Sequence, residues 1–289
     1  MIAREVAMDI ALEKNRERDA YSFANINLLG RCNVDCFFCL GRDICKELEP
    51  HNQLRAHFSL WKNFYSFLEK CEANRVKKLY ITGQNTDSLM YEYLGELIAH
   101  LKIFGFYVRL RTNGLLATSK MDVINQTELS VGYSIHSLNA NTNQKIMGRW
   151  VVPMWPFILK ATYRPRVSVV VNRYNESEID ELLRFFGDFP NIRYVQMRRV
   201  STDFRTQELM PDIEAYERVY EKLKYYPLIR TFAKDAEVRS IYGHEVVFWR
   251  TTKTSVNSLN YFTDGTISDM YFIVEGYLKY HNKAEQNVI

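Results

Sequence analysis

The sequence lacks the features of several common protein classes. Its 289 residues include only 12 glycines and 7 prolines and no low-complexity tract, which argues against a fibrous or disordered chain. Its apolar runs are far shorter than the roughly 20 residues that cross a bilayer, so no membrane span is expected. Charged residues interrupt the helix-like stretch 2–18, which excludes the apolar core of a signal peptide.

Cysteine is scarce and unevenly placed. Only five cysteines are present, three of them within eight positions and none after Cys71, a distribution that does not fit a disulfide framework. Cys45 and Cys71 are isolated, and Cys71 lies on a predicted helix among core residues. The sequence therefore predicts a cytoplasmic protein with reduced thiols.

A strong excess of one charge is also missing. The net charge is +4 and the pI is near 8.6, with lysine and arginine in short groups only. A dedicated nucleic-acid-binding protein usually concentrates its basic residues on one face or in one run. Nucleic acid is therefore disfavoured as a partner.

Strand-like and helix-like segments alternate regularly along most of the chain. Strands are predicted at 21–29, 77–82, 106–112, 129–135, 166–171 and 192–197, with helices between them. This pattern predicts an α/β fold of parallel βαβ units, a partial (β/α)6 TIM-like barrel over 21–227 after an N-terminal helix at 1–20. The pattern alone does not separate such a barrel from a flat doubly wound sheet. Residues 228–289 are β-rich and are predicted to form a small C-terminal appendage that caps one end of the barrel.

The three grouped cysteines carry the most specific chemistry. The segment Arg-Cys-Asn-Val-Asp-Cys-Phe-Phe-Cys places thiols at Cys32, Cys36 and Cys39. Three thiolates on one loop can bind three irons of a [4Fe–4S] cubane and leave the fourth iron open. A structural zinc site would need a fourth ligand, and no downstream C-x2-C or H-x3-5-H pair supplies one. Free thiols are the remaining interpretation.

This C-x3-C-x2-C motif, with an aromatic residue before its last cysteine and a strand before it, resembles the signature of the radical S-adenosylmethionine (SAM) superfamily. The resemblance covers about 21–200. It implies that SAM chelates the open iron and that an external electron donor, such as flavodoxin or ferredoxin, supplies the electron. Cleavage of SAM would then give a 5′-deoxyadenosyl radical that abstracts hydrogen from a substrate.

Other segments resemble the SAM-binding positions of that superfamily. The segment Thr-Gly-Gln-Asn-Thr-Asp at 82–87 stands where the family often has Gly-Gly-Glu-Pro, with Asn85 in place of the glutamate. An amide lacks the charge of a carboxylate, which Asp87 could restore. The alternative is that Asp87 or Ser88 caps the following helix. The residues that the resemblance implies as SAM contacts are Gly83, Gln84, Asn85, Asp87, Asn113, Ser134, Asn172, Gln196, Met197 and Arg198.

Strand alternation predicts a polar barrel interior. Along the third strand, apolar residues alternate with Arg109 and Arg111, so both arginines should point inward, as should Tyr80 and His136 of neighbouring strands. Inward arginines favour a phosphate or carboxylate ligand. The alternatives are an arginine paired with a buried carboxylate, or a strand phase that is wrong by one residue. Tyr80 is a candidate hydrogen donor or radical relay, and His136 is either a structural hydrogen bonder or a general base.

These observations favour a radical SAM enzyme acting on a small anionic molecule such as a nucleotide, sugar or amino-acid derivative. The first alternative is modification of a ribosomally made peptide by epimerisation or crosslinking. The second is a non-catalytic iron–sulfur or zinc protein that binds nucleic acid or a protein partner. Residues 259–269 resemble the hairpin of a SPASM or twitch domain without its cysteines, and the lack of cysteine after Cys71 predicts no auxiliary cluster.

Overall fold

The computed structural model describes residues 21–127, 130–202, 205–232, 236–250, 258–269 and 277–278. The predicted N-terminal helix at 1–20 lies outside these residues. Eleven strands are described: β1 Phe23–Leu29, β2 Lys78–Gln84, β3 Tyr107–Thr112, β4 Val131–Ser134, β5 Arg166–Val170, β6 Tyr194–Arg198, β7 Leu228–Phe232, β8 Ala236–Ile241, β9 His244–Trp249, β10 Ser258–Phe262 and β11 Ile267–Ser268.

The α-helices described are α1 Cys45–Leu48, α2 Phe64–Ala73, α3 Leu94–Ile103, α4 Met121–Ile124, α5 Ala140–Met147, α6 Trp155–Ala161, α7 Ile179–Gly187 and α8 Met210–Leu223. Short 3-10 turns precede several of them, as at Phe58–Leu60 before α2 and Ser88–Met90 before α3. These turns take up the starts of the predicted helices 58–74 and 88–104, so the α-helices begin about six residues later than predicted.

The strands of the described residues form one sheet in the order β11-β10-β1-β2-β3-β4-β5-β6-β9-β8-β7. β1 to β6 are parallel and lie side by side in chain order, which distinguishes the fold from a doubly wound sheet whose strand order reverses at a switch point. The predicted α/β class with a partial, open (β/α)6 barrel is confirmed.

The C-terminal strands extend this sheet at both of its edges. β10 pairs in parallel with β1, and β9 pairs in parallel with β6, while β8 and β7 follow as antiparallel neighbours. The predicted β-rich character of 228–289 is thus confirmed for its described residues. The predicted capping of one barrel end, and the likeness to a cluster-free SPASM or twitch domain, stay predictions.

The outer face of the barrel strands forms the main core against the helices. Leu79 and Ile81 of β2, Val108 and Leu110 of β3, and Tyr133 of β4 are at most 3% exposed and belong to one apolar cluster with helix residues. The predicted alternation along these strands is therefore confirmed. Removing this apolar area from water stabilises the fold by roughly 25 cal/mol per Å².

The inner face is polar, beginning at the β1–β10 pair. Asn25 donates from Nδ2 to Oδ1 of Asn260 at 2.7 Å, and Asn27 donates to the carbonyl of Tyr261 at 3.2 Å. All of these side chains are buried, so hydrogen bonds between them offset their desolvation. No helix among the described residues is long and apolar enough to span a membrane.

Candidate functional site

The segment 30–39, here called the cysteine loop, follows β1 and lies at the barrel mouth, the edge where the carboxyl ends of β1–β6 meet. Two backbone hydrogen bonds fix it to the end of α5: Asp35 N–H donates to Met147 O at 2.9 Å, and Phe37 N–H donates to Ile146 O at 3.2 Å. Gly148, in the left-handed region, brings α5 against Asp35. The mouth of such a sheet is where ligands bind in α/β proteins.

Cys32, Cys36 and Cys39 are brought together on this loop. Burial raises the pKa of all three thiols, that of Cys32 to about 12. After burial, the charges of Cys39 and Cys32 are the next causes that raise the pKa of Cys36, which shows how closely the three sulfurs sit. A bound cation would lower these pKa values and so favour the thiolate form, which is the form that binds iron.

Among the described residues, no group of three or more His, Cys, Asp or Glu side chains is arranged to hold a metal ion. The fit of a [4Fe–4S] cluster to this loop therefore depends on the chemistry of its three thiols.

Two aromatic rings extend the cysteine loop across the mouth. Phe37 packs edge-on against Tyr174, which follows β5, with ring centroids 5.5 Å apart. Phe38 packs edge-on against His136, which follows β4, at 5.2 Å. These two ring contacts connect the cysteine loop to the ends of β4 and β5.

Arg205 holds the far side of the cysteine loop. Its guanidinium donates to the carbonyl of Phe37 at 2.5 Å and to the carbonyl of Cys39 at 3.0 Å, and its Nε donates to Asp43. The Asp43 side chain is fully buried. Sequence reasoning missed Arg205, since it lies about 165 residues from its partners and belongs to no motif.

The turn after β2 packs directly on the cysteine loop. A Cβ on Gly83 would lie 2.0 Å from the carbonyl oxygen of Thr86, and a Cβ on Gly41 would lie 2.4 Å from the Asn85 nitrogen. Asn85 itself has a positive φ of 56°. Both glycines are therefore required by close backbone approach. The Gln84 side chain lies outside the described atoms.

Asp87 is engaged by hydrogen bonds within the protein, and its predicted contact to SAM stays a prediction. Its buried carboxylate accepts hydrogen bonds from Leu89 N–H at 2.9 Å, from the Thr112 hydroxyl at 2.8 Å, and from Asn113 N–H at 2.6 Å. Burial raises its pKa, and these donors offset part of that rise. Asp87 therefore caps the turn after β2, as in the alternative interpretation, and fixes the end of β3.

Asn113, which Asp87 positions, touches the cysteine loop. Its Nδ2 donates to Asn33 Oδ1 at 2.8 Å and lies 3.8 Å from Cys32 Sγ. The next residue, Gly114, has a positive φ, and a Cβ there would lie 2.2 Å from the Trp155 ring. The Asn-Gly pair after β3 therefore contacts Cys32 on one side and the Trp155 ring on the other.

A pocket opens beside Asn113, here called the mouth pocket. Ser134, His136, Asn143 and Trp155 line it together with Asn113. The side-chain oxygen of Asn143 and the indole nitrogen of Trp155 are buried and have no hydrogen-bond partner. Unsatisfied buried polar atoms are costly, so their presence points to a ligand here. Sequence reasoning missed both residues, because they face the pocket from helices.

His136 is a buried hydrogen bonder in this wall. Its Nδ1 accepts from Val170 N–H at 3.1 Å, and burial lowers its pKa to about 4. Because Nδ1 accepts, the proton of the neutral ring is on Nε2. The geometry therefore matches the structural interpretation of His136, while general-base chemistry stays a prediction.

Below the mouth, the barrel interior holds a group of cationic side chains around one phenol, here called the lumen cluster. Arg109 donates from Nη1 to the Tyr80 hydroxyl at 3.0 Å. The guanidinium carbons of Arg111 and Arg166 lie 4.7 Å and 5.4 Å from the centre of the Tyr80 ring. Burial alone would raise the pKa of Tyr80, but the three charges outweigh it and lower the pKa to about 7.

Arg166 was not predicted and completes this cluster. Its Nε donates to the Ser130 hydroxyl at 2.7 Å and its Nη1 to the Tyr194 hydroxyl at 3.3 Å. It is the first residue of β5, where alternation could not yet be recognised. Within the described part of the chain, Arg109 has no carboxylate partner, and its buried Nε has no hydrogen-bond partner.

Comparison with known proteins agrees with this geometry. No protein-family model matches the chain. The chain is 27% identical over 215 residues to GTP 3',8-cyclase of Aquifex aeolicus (strain VF5), covering 70% of this chain and 65% of that protein. It is 25% identical over 185 residues to molybdenum cofactor biosynthesis protein 1 of Drosophila melanogaster, covering 61% of this chain and 32% of the relative.

The fold is shared with a structure of Streptococcus suis SuiB bound to S-adenosylmethionine, with a TM-score of 0.61 and 13% identity over 91% of this chain and 64% of SuiB. A second SuiB structure, bound to the precursor peptide SuiA, has a TM-score of 0.59. The curated relatives and the shared fold agree with the resemblance of the cysteine motif to the radical SAM superfamily. The chain spans less than two thirds of the length of the first of these relatives.

The radical SAM positions predicted from the sequence are only partly presented to the mouth. Asn113 and Ser134 line the mouth pocket. Asn172 is fully buried, donating to Val170 O and accepting from Tyr174 N–H, so it builds the turn after β5, and its contact to SAM stays a prediction. Met197 is fully buried in the outer core. Gln196 and Arg198 alternate with it on the inner face and are half-buried.

Proposed function

We propose that this chain is a radical SAM enzyme that carries one [4Fe–4S] cluster on Cys32, Cys36 and Cys39 and binds SAM at the mouth pocket. The observation that carries the proposal is the juxtaposition of the three half-buried thiols with Asn113 and the unpaired polar atoms of that pocket. When bound, the cluster and SAM supply a 5′-deoxyadenosyl radical, which removes a hydrogen atom from the substrate.

The residues of the chain bind, aim and shield this chemistry. Asn113 lies between Cys32 and the pocket and is held there by Asp87. The Asn143 oxygen and the Trp155 N–H supply one acceptor and one donor for the cosubstrate. Phe37 and Phe38 lie between Cys36 and Cys39 in the chain and pack on Tyr174 and His136, so their rings would limit access of water to a bound cluster.

We infer that the substrate is a small anion bound on the lumen cluster. Arg109, Arg111 and Arg166 surround one phenol, and planar guanidinium groups bind phosphate and carboxylate bidentately. The buried Nε of Arg109 remains available for one such hydrogen bond. The name of the Aquifex relative includes GTP, a nucleoside triphosphate. Such a ligand carries the negative charge that this group of arginines would bind. An external electron donor such as flavodoxin or ferredoxin completes the proposal.

The test is SAM cleavage under anaerobic conditions with dithionite, followed as 5′-deoxyadenosine, with and without GTP as the anionic probe. In the wild type we expect cleavage that GTP stimulates. In Arg111→Ala we expect the unstimulated cleavage to persist and the GTP response to fall about 10- to 100-fold, the value of one charge-assisted contact. Arg184→Ala, which removes an exposed arginine paired with Asp180, is the matched control. Equal responses in wild type and Arg111→Ala would exclude the lumen cluster as the anion site.

Peptide modification is the second candidate, and one surface feature favours it. Trp150, Val151 and Met154 are 63%, 58% and 63% exposed, and Val151 also lines the mouth pocket. An exposed apolar group beside a pocket is a common peptide-binding feature. Turnover that requires a peptide, with no response to any anionic small molecule, would support this candidate over the first.

A further inference from the structure

One side chain joins two parts of the barrel mouth that come from distant strands. β1 and β6 are separated in the sheet by β2 to β5. The cysteine loop follows β1, whereas Arg205 follows β6 and precedes α8. Arg205 reaches the carbonyls of Phe37 and Cys39 and the carboxylate of Asp43, so it joins the two sides at the mouth.

The contact is built from both sides. The Arg205 side chain is 18% exposed and the Asp43 side chain is fully buried, so the ion pair is largely shielded from water. Thr202 accepts a hydrogen bond from Arg205 N–H at 2.9 Å and donates to the second oxygen of Asp43 at 3.4 Å. Both carboxylate oxygens of Asp43 are therefore engaged by the segment after β6.

The base of this segment is also fixed. Asp212, in the first turn of α8, is fully buried and accepts from Arg173 N–H and from its guanidinium at 3.0 and 2.6 Å. Leu209 N–H donates to Arg205 O at 3.0 Å, which ties Arg205 to the start of the same helix. Arg205 thus reaches the cysteine loop from a rigid support, as precise positioning requires.

On this basis we propose that Arg205 is a positioning residue for the cluster: it holds residues 37–43 so that the three thiols converge, and it places a fixed positive charge beside Cys39. This inference rests on the proposed function. A planar guanidinium donates to three acceptors at once, which neither lysine nor a neutral amide can reproduce. A cation next to a cluster stabilises the reduced, more negative form and so raises the reduction potential.

The experiment compares the full-length wild type with Arg205→Lys, Arg205→Gln and the control Arg218→Gln, after anaerobic reconstitution with iron and sulfide. Arg218 lies on α8, is half exposed, and pairs with Glu176. The measurements are iron and sulfide per chain, the reduction potential followed by electron paramagnetic resonance, and amide hydrogen exchange of residues 37–43 without metal.

We expect both Arg205 variants to exchange residues 37–43 at least 10-fold faster than wild type and to retain less iron. Arg205→Lys keeps the charge, so the cluster that it retains should have a reduction potential near that of the wild type. The cluster retained by Arg205→Gln should have a lower reduction potential, because the positive charge is lost. Wild-type exchange, loading and potential in Arg205→Gln would overturn the inference, as would equal losses in Arg218→Gln. A wild type that binds no cluster while its loop exchange depends on Arg205 would refute the proposed function instead.

Discussion

Tyr80 gives the sharpest test of the electrostatics inside the barrel. It is buried, accepts a hydrogen bond from Arg109, and has two further guanidinium groups within 5.4 Å of its ring centre. These charges lower its pKa from 10 to about 7. We therefore expect Tyr80 to become a phenolate near neutral pH, about three pH units before an ordinary tyrosine.

The change in pKa has a consequence for stability whose size follows from linkage. Each pKa unit corresponds to about 1.4 kcal/mol, so a fall from 10 to about 7 is worth about 4 kcal/mol in full. Because the folded pKa is the lower one, this contribution is complete above pH 10 and is lost as the pH falls through about 7. Between pH 6.5 and 8.5 the free energy of unfolding of the wild type should increase by about 2 kcal/mol relative to that of Tyr80→Phe.

The direct assay is the near-ultraviolet absorbance of phenolate. Subtracting the titration of Tyr80→Phe from that of wild type isolates one of the 19 tyrosines. We expect the difference titration to show the absorbance of one phenolate, with its midpoint near pH 7. Urea unfolding at pH 6.5 and 8.5 should show the corresponding increase in the free energy of unfolding. Tyr107→Phe, which removes an exposed tyrosine, controls for the loss of one chromophore. An increment that emerges only near pH 10 would refute the inference that three guanidinium charges act on this phenol.

Three further predictions concern the mouth and the sheet. Cys36→Ser should lose most of its reconstituted iron, whereas Cys71→Ser, in the core of α2, should keep it; equal iron in the two variants would contradict the assignment of the ligands. Asp87→Asn should weaken SAM binding about 10-fold without changing iron content, measured by equilibrium dialysis, because one acceptor of the Asn113 N–H is altered. Leu259→Ala should lower the free energy of unfolding by about 2–5 kcal/mol in urea titrations, because the side chain is fully buried; a change below 1 kcal/mol would show that β10 is dispensable.

The parallel part of the fold could be predicted because its strands obey a local rule. Apolar residues alternate along β2, β3 and β4, and turns or helices follow each strand, so both the elements and their inner and outer faces were recognisable. The placement of the C-terminal strands could not be predicted in this way. The pairing of β10 with β1 depends on contacts such as Asn25 with Asn260, 235 residues apart, which no local pattern encodes.

In the candidate site, too, the residues that belong to a local motif could be predicted and those that depend on distant contacts could not. The three cysteines could be found because their spacing is a chemical motif on one loop, and Asn113 because it follows a strand directly. Arg205, Arg166 and Trp155 could not be found, because each acts across the barrel on residues remote in sequence. Asp87 was assigned to the cosubstrate since its hydrogen bonds to Thr112 and Asn113 depend on a neighbouring strand.

The pairing of β10 with β1 also bears on how the chain is made. β1 is synthesised before β10, so one of its hydrogen-bonding edges stays unpaired until residues 258–262 have been made. At about 5–20 residues per second, the ribosome needs on the order of 10–50 s to deliver them. During that interval β1, which precedes the three cysteines, has an unpaired edge. Such an edge can form hydrogen bonds with a strand of another nascent chain. We expect chaperone capture and delayed iron delivery to matter most for this protein in that window.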